Sequence, residues 1–455
     1  MKNSFREVEG AICAPRGFKT AAVFCDIKKV GTGKGSEKGK KHDLALIVSD
    51  VPAAVAGMFT TNQVCAAPVK VSAKRAARKT ARAIVANSGN ANACTGKRGL
   101  RDAKAMTRIA ATCLASASVT SPNKLDRLKR SSLSPARISA DDVLVCSTGR
   151  IGVPMPMKNV ELGIVVAARS LKSTPSAARQ AAEAIMTSDT CRKEIAVEFN
   201  IGRSTVRIGG ICKGAGMIQP GMSRTLHATM LAFITSDAAI ESSLLKRALG
   251  VAVGQSFNRI TVDGDMSTND SVIMLANGLA GNRKLVSRQL SLGTFQSALN
   301  FVTLELAKMI VRDGEGVSRF ITLHIHGAKS AKDAETAARS IANSQLVRTS
   351  WCGGDPNWGR VLCALGYSNA KVNESIVDVG YAKPGSRKII FGFRRGQPTN
   401  VSLQTLARIS SAPEFDLHVD LNLGRHDFVL YTSDLTEDYV SFNKGDVSDP
   451  RSLGG

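Results

Sequence analysis

Nowhere does the chain run for ~18 uninterrupted apolar residues, so a transmembrane helix is excluded. Residues 1–20 carry Arg6, Glu7, Glu9, Arg16 and Lys19 around no apolar core. A secretory signal is therefore not expected, and the two glutamates weigh against a mitochondrial presequence. None of the ten cysteines forms a CxxC pair, and their spacing is irregular. Without a secretion signal this points to reduced, mostly buried thiols rather than a zinc cluster or a disulfide frame. Aromatic residues are scarce at 5% and none interleaves with the basic stretches, so stacking on nucleic-acid bases has little support. Histidine is scarcer still, with six residues scattered along the chain, and no Ser-His-Asp arrangement can be picked out. His324 and His326 would share a strand face, but the sequence near them offers neither a carboxylate nor a third histidine. No metal site is expected there.

What is present is an ordinary globular composition, 43% hydrophobic and 22% charged over 455 residues, enough for two packed units. The net charge of +24 is uneven: residues 1–150 hold 27 Lys and Arg against 10 Asp and Glu. Much of the excess falls in Gly31–Lys41 and Lys124–Arg137, which read as polar loop insertions with a solvated basic surface. Between them short β-rich runs alternate with helical stretches. Asp43–Asp50, Ala83–Ala86 and Asp142–Cys146 read as buried strands, and Pro175–Thr187 as a helix. Glu194–Phe199 and Ser204–Gly209 form a hairpin across Asn200–Arg203. Thr229–Thr235 is a strand, with Ser236 capping a helix that stops at Gly250. Leu290–Val311 and Ser330–Asn343 are helices; Phe320–His326, Asp416–Leu423 and Asp427–Thr432 are strands. The class is α/β or α+β, with a smaller C-terminal unit.

Several tempting motifs fail. Gly31–Ser36 lacks the spacing of a phosphate loop, and Asp263–Met274 lacks the glycine and the bidentate glutamate of a calcium loop. There remain glycine-rich and small polar turns beside strands: Asn87–Gly96, Ser147–Gly149, Lys213–Gly216 and Asp313–Gly316. Each alone is only a turn. Together they suggest a site built from loop ends, where glycines let backbone N–H groups approach a ligand. By composition Thr229 is a packed β-branched residue.

Longer motifs carry a resemblance. Ala14–Phe18, Asp43–Val69, NSGNANACTG (87–96), STGRIG (147–152), IMTSDT (185–190), KGAGMIQP (213–220), ATMLAFITSDA (228–238), FNRITVDGDMSTND (257–270) and DPNWGR (355–360) occur in order. Over nearly its whole length the chain resembles the ornithine acetyltransferase family, the bifunctional glutamate N-acetyltransferases. The resemblance implies a layered αββα fold with a smaller C-terminal α/β unit, and an N-terminal-nucleophile enzyme that cuts itself at Ala228-Thr229. The products would be an α chain, 1–228, and a β chain, 229–455. It also implies transfer of acetyl from N2-acetylornithine to glutamate through an acyl-Thr229 enzyme, in arginine biosynthesis. A freed α-amine, with an ordinary pKa of ~7.7–8.0, can act as base for its own hydroxyl, so no histidine is required. By the same resemblance Thr148 and Gly149 form the oxyanion hole, and Thr187, Lys213, Thr229, Glu315, Asn443 and Ser448 bind substrate. No metal or cofactor is implied, and whether acetyl-CoA serves as a second acetyl donor is left open. The expected assembly is a heterotetramer of two α and two β chains, with no nucleic acid or membrane partner. The compartment is the cytoplasm in a bacterium or the mitochondrial matrix in a eukaryote.

The chain departs from the family at four places. About five residues near Ser223–His227 look inserted before the scissile bond, and the tail after Asn443 is altered, with Ser448 where a threonine is expected. Met266 stands at a usually polar position, and the basic stretches are extra. Two alternatives follow: a related self-processing aminopeptidase or amidase, which would call for a serine nucleophile, and an unprocessed, non-catalytic relative.

Overall fold

The computed structural model describes residues 5–28, 41–117, 138–222, 230–286 and 290–444. Ala228, Thr229, Ser448, the Ser223–His227 insertion, the second basic stretch and nearly all of the first lie outside the described residues. Among the described residues no helix is long and apolar enough to cross a membrane.

Nine strands form the first sheet: β1 (Phe5–Glu7), β2 (Phe18–Val23), β3 (Leu44–Phe59), β4 (Thr80–Asn87), β5 (Val143–Ser147), β6 (Lys193–Ile201), β7 (Ser204–Lys213), β8 (Leu231–Ser236) and β9 (Ser271–Ala276). They run in the order β1-β6-β7-β8-β9-β3-β4-β5, with β2 on β3. Sixteen-residue β3 joins two layers. Its first half pairs with β2 and β4, the register shifts between Val48 and Ala53, and Ala54–Phe59 then pairs with β9. Strand alternation sends successive side chains to opposite faces. Leu44, Leu46, Val85 and Val145 face outward under Met106 and Ile164 of helices Gly96–Ala117 and Met157–Arg169. Ile47, Ile84 and Leu144 meet Ile211, Phe233 and Leu275 of the other layer. The far faces of β7–β9 are covered by helices Ser242–Gly254 and Leu290–Arg312 through Leu249, Leu299 and Val302. The stack is helix, sheet, sheet, helix, as the resemblance implies.

A second sheet holds β10 (Phe320–Ala328), β11 (Asp378–Ala382), β12 (Ile390–Arg394), β13 (Gln397–Pro398), β14 (Glu414–Asp420) and β15 (His426–Ser433), in the order β13-β12-β11-β14-β10-β15. Ile321, Leu323, Phe415, Leu417 and Val419 face helices Ala331–Asn343, Gln345–Cys352, Trp358–Gly366 and Leu403–Ser410. This is the smaller C-terminal unit.

Four expectations need correction. The strand read as Asp43–Asp50 continues to Phe59, because residues 49–52 merely step off the ladder around Pro52, which has no N–H to donate. Ser236 does not cap the next helix. Its hydroxyl donates to the Arg207 carbonyl at 2.8 Å, and the helix runs Ser242–Gly254 from Glu241. The thiols are unpaired but not mostly buried: Cys94, Cys191 and Cys363 are exposed, Cys65, Cys113 and Cys352 intermediate. His324 and His326 do have a third histidine, His418, and a carboxylate, Asp416, both delivered by the parallel neighbour β14.

Candidate active site

The strand ends of the first sheet and the loops that follow them enclose a cavity of about 320 Å³. Thr148, Gly149, Thr187, Lys213, Glu315 and Asn443 all line it. Every site residue expected from the sequence that lies within the described part therefore reaches one place.

Backbone chemistry makes one wall. β4 and β5 run parallel and end together, Asn87 opposite Ser147. The two loops that follow then interlock: Thr148 N–H donates to Asn87 O at 3.0 Å and Ala91 N–H to Arg150 O at 2.9 Å. Gly149 has φ 123°, and a Cβ there would lie 2.4 Å from the Gly89 carbonyl carbon, so only glycine fits. Asn269 holds this wall to the next by donating Nδ2–H to Ala91 O at 2.6 Å and Ser147 O at 2.8 Å. Lys213, the last residue of β7, is buried and donates Nζ–H to Thr148 Oγ1 at 3.3 Å. That leaves the Thr148 hydroxyl proton available to a ligand.

A buried ion network sets the opposite wall. Asp189 accepts from Lys193 Nζ and from the Gly214 N–H, each at 2.6 Å, and from the Thr187 N–H at 3.0 Å. It thus ties the Thr187 loop to the loop after Lys213. Asp313 takes Lys193 Nζ, Thr190 Oγ1 and, at 3.1 Å, the Thr190 N–H. Burial alone would raise the Asp189 carboxyl, but the charges of Lys213 and Lys193 and the Gly214 N–H outweigh it and bring it to about 2. Burial lowers Lys193, yet its two carboxylates prevail and raise it. Lys213 goes down: burial and the like charge of Lys193 exceed the pull of Asp189.

The third wall joins Gly216, Asp263 and Glu315 to Tyr439 and Asn443. Glu315 N–H donates to Ala215 O at 3.0 Å, and its carboxylate accepts from Asn443 Nδ2 at 3.0 Å. It lies so close over Gly216 that a Cβ there would sit 2.5 Å from Glu315 Cδ. Asp263 accepts the Ile218 N–H at 2.8 Å, and burial raises its carboxyl despite these N–H donors. Beside it burial and the charges of Asp263 and Glu315 push the Tyr439 phenol up to about 12. Sequence reasoning missed Asp189, Lys193, Asp263, Asp313 and Tyr439. Only Asp189, Asp263 and Asp313 had a signal, lying inside turns or motifs already singled out.

Asp270 stands apart. It is buried at the entry to β9, and the next residue donates Ser271 N–H to Met230 O at 2.7 Å. It therefore lies beside Met230, the residue that follows Thr229 and precedes β8. Neither carboxylate oxygen has a hydrogen-bond partner among the described residues. Burial pushes this carboxyl well above its ordinary value, with Lys213 opposing.

With one cationic group set against several carboxyls and backbone donors, the cavity suits a small zwitterionic amino acid. Residues 27–445 match the profile of the ArgJ family. The arginine biosynthesis bifunctional protein ArgJ of Symbiobacterium thermophilum is 43% identical over 434 residues, 95% of this chain and 98% of that one. The glutamate N-acetyltransferase of Methanocaldococcus jannaschii is 42% identical over 441 residues, 96% and 98% of the two chains. A crystal structure of the bifunctional protein argJ from Bacillus halodurans aligns at 38% identity with a TM-score of 0.43, over 46% of this chain and 95% of its own. A profile match over most of its length and near-complete coverage by relatives above 40% identity establish that the chain belongs to the ArgJ family.

Proposed function

We propose that this chain is a glutamate N-acetyltransferase of arginine biosynthesis that cuts itself at Ala228-Thr229 and moves acetyl from N2-acetyl-L-ornithine to L-glutamate. The observation that carries the reading is the convergence of Thr148, Gly149, Thr187, Lys213, Glu315 and Asn443 on one cavity, beside the residues that follow Thr229. The names of the relatives agree with it.

In this reading Thr229 Oγ attacks the Ala228 carbonyl, the peptide becomes an ester, and hydrolysis frees the Thr229 amine. That amine then takes the hydroxyl proton as Oγ attacks the acetyl carbon of acetylornithine. The Thr148 hydroxyl and Gly149 N–H stabilise the oxyanion; removing one such donor costs ~3–4 kcal/mol in acyl-transfer enzymes. The C–N bond breaks, ornithine leaves with the proton, and the α-amine of glutamate attacks the acyl ester in turn, a ping-pong cycle. In the same reading Lys213 binds the α-carboxylate both substrates share, and Glu315 with Asn443 the ornithine side-chain ammonium. Ser448 is assigned to binding by resemblance alone. The chemistry needs no cofactor; acetyl-CoA enters only as a second acetyl donor, read out as CoA release in the presence of glutamate.

The cut would leave β1–β7 on one chain and β8 and β9 on the other, within one sheet. β7 and β8 pair directly across it, from Ile208 opposite Ser236 to Lys213 opposite Leu231. The two chains would thus stay associated, and two such pairs would form the heterotetramer.

Intact-mass spectra of wild type and Thr229→Ala, with acetyl transfer assayed on both, test this. Expected are two wild-type fragments of 228 and 227 residues, read from the numbering, a single uncut inactive mutant chain, and ornithine release dependent on wild type. An uncut wild type without transfer activity overturns the proposal and favours the non-catalytic relative. A cut protein that hydrolyses rather than transfers favours the amidase.

A further inference from the structure

Three of the chain's six histidines meet on the face of the second sheet opposite its helices. His324 and His326 are two residues apart on β10 and share that face. β14 runs parallel to β10 and sets His418 opposite His324. One ring nitrogen from each of the three lies within 4.8 Å of the others. His326 Nε2 and His418 Nδ1 are 3.1 Å apart. Donors around a tetrahedral ion with bonds of ~2.0–2.1 Å are separated by about 3.3 Å, so this pair already has the spacing of adjacent ligands.

A carboxylate stands beside His324. Asp416, two residues before His418, brings Oδ2 to 3.8 Å from His324 Nε2, and the Gly385 N–H fixes the same oxygen at 2.7 Å. A second observation points to a ligand. Nε2 of His324 is buried without a hydrogen-bond partner among the described residues. Native interiors rarely leave such nitrogens idle. None of the four residues lines the cavity of the candidate active site.

We propose that His324, His326 and His418, with Asp416 orienting His324 from beside it, form a site for a divalent first-row transition metal, zinc foremost, that clasps β10 to β14. Three imidazoles hold the ion and a water completes a tetrahedral shell; because the ligands come from both strands, the ion ties the strands together. The rings lie parallel to within 5–6°. Parallel rings do not aim three lone pairs at one point, so binding turns them about Cβ–Cγ, a broad, soft torsion. The strand register already supplies the frame.

The test uses the full-length protein, purified without a polyhistidine tag, stripped by chelator and titrated with Co2+ and then Zn2+. Expected is one Co2+ per chain with the visible bands of a tetrahedral ion, no thiolate charge-transfer band from the ten cysteines, and displacement by Zn2+. His326→Gln and His418→Gln should each weaken binding by about 100-fold or more, and Asp416→Asn by about 10–100-fold. His426→Gln, on the neighbouring strand, should bind as wild type. Acetyl transfer should be unchanged in His326→Gln. A wild type with no saturable cobalt spectrum overturns the proposal and leaves a polar sheet face. So does equal binding by wild type and His326→Gln, the half-buried position whose fold circular dichroism can check should His418→Gln misfold.

Discussion

Two buried carboxylates, each next in sequence to a residue lining the candidate site, are treated in opposite ways. Asp189 accepts hydrogen bonds from Lys193, Gly214 and Thr187, and its carboxyl is held at about 2. Asp270 is as deeply buried, has no such partner among the described residues, and is pushed well above the ordinary carboxyl range by desolvation. The first carboxylate is framework: it fixes where two loops stand. The second is expected to cost stability where it stands, its neighbour Ser271 bonded to the residue after the proposed nucleophile, and such local costs cluster where a site needs them.

The strongest way to break the comparison is to remove the cation from the satisfied network. Lys193→Met would leave Asp189 and Asp313 buried without their shared ammonium, a change that costs about 3–5 kcal/mol in buried pairs. Urea unfolding should show it, and activity should fall with the displaced Thr187 loop. A loss under ~1 kcal/mol would mean that the network does not hold the wall. The same network predicts an acid limb. The Asp189 value is depressed in the fold, so its contribution is complete above the ordinary value of 3.8 and is lost as pH falls toward about 2. Asp189→Asn should flatten the stability profile across that window.

Next in size is Gly149→Ala. A side chain at φ 123° that also meets the Gly89 carbonyl carbon should cost about 1–3 kcal/mol, and the cavity wall must shift. Transfer activity should drop far more than thermal stability does. Equal small losses in both would place the oxyanion donors elsewhere.

Asp270→Asn should act in the opposite direction to Lys193→Met. The folded value of Asp270 is raised, so the fold binds the proton more tightly than the unfolded chain, and stability falls as pH rises from about 3.8 toward the raised value. The asparagine variant should lack that slope and gain ~1 kcal/mol at neutral pH while losing activity. A variant destabilised at neutral pH would show that the carboxylate is satisfied in solution, and the contrast with Asp189 would collapse.

How much of this could be read beforehand follows from sequence distance. The turns holding Thr148, Gly149, Lys213 and Glu315 and a mixed α/β class were legible from the residues, but the roles of these residues and of Thr187, and the αββα layering, came from the family resemblance. Asn443 had no turn or motif of its own to mark it. The network was not legible: Lys193 is four residues from Asp189 but 120 from Asp313, and nothing local marks that pairing. His324 and His326 were visible as a pair, whereas His418 is 92 residues beyond His326 and arrives only through the parallel β10–β14 register. Parallel strands require long crossovers, so residues that meet across them share no local pattern.

The smallest effect sharpens the comparison by varying burial instead of chemistry. Arg312 and Glu414 form a two-pronged pair at 2.7 and 3.1 Å, shorter than many buried contacts, yet their side chains are 40% and 37% exposed. Water already solvates both charges, so pairing them returns little, typically 0.2–1 kcal/mol. Glu414→Gln keeps the volume and leaves Arg312 over the Phe320 ring, 4.4 Å from its centroid, so the change isolates the charge. The expected loss is under ~1 kcal/mol and should vanish in 1 M salt, where the screening length is about 3 Å. The Lys193→Met loss should persist at the same salt, because no solvent reaches that ammonium. If both losses faded together, the Lys193 network would be wet in solution, and the depressed Asp189 value could no longer be ascribed to two unscreened lysines.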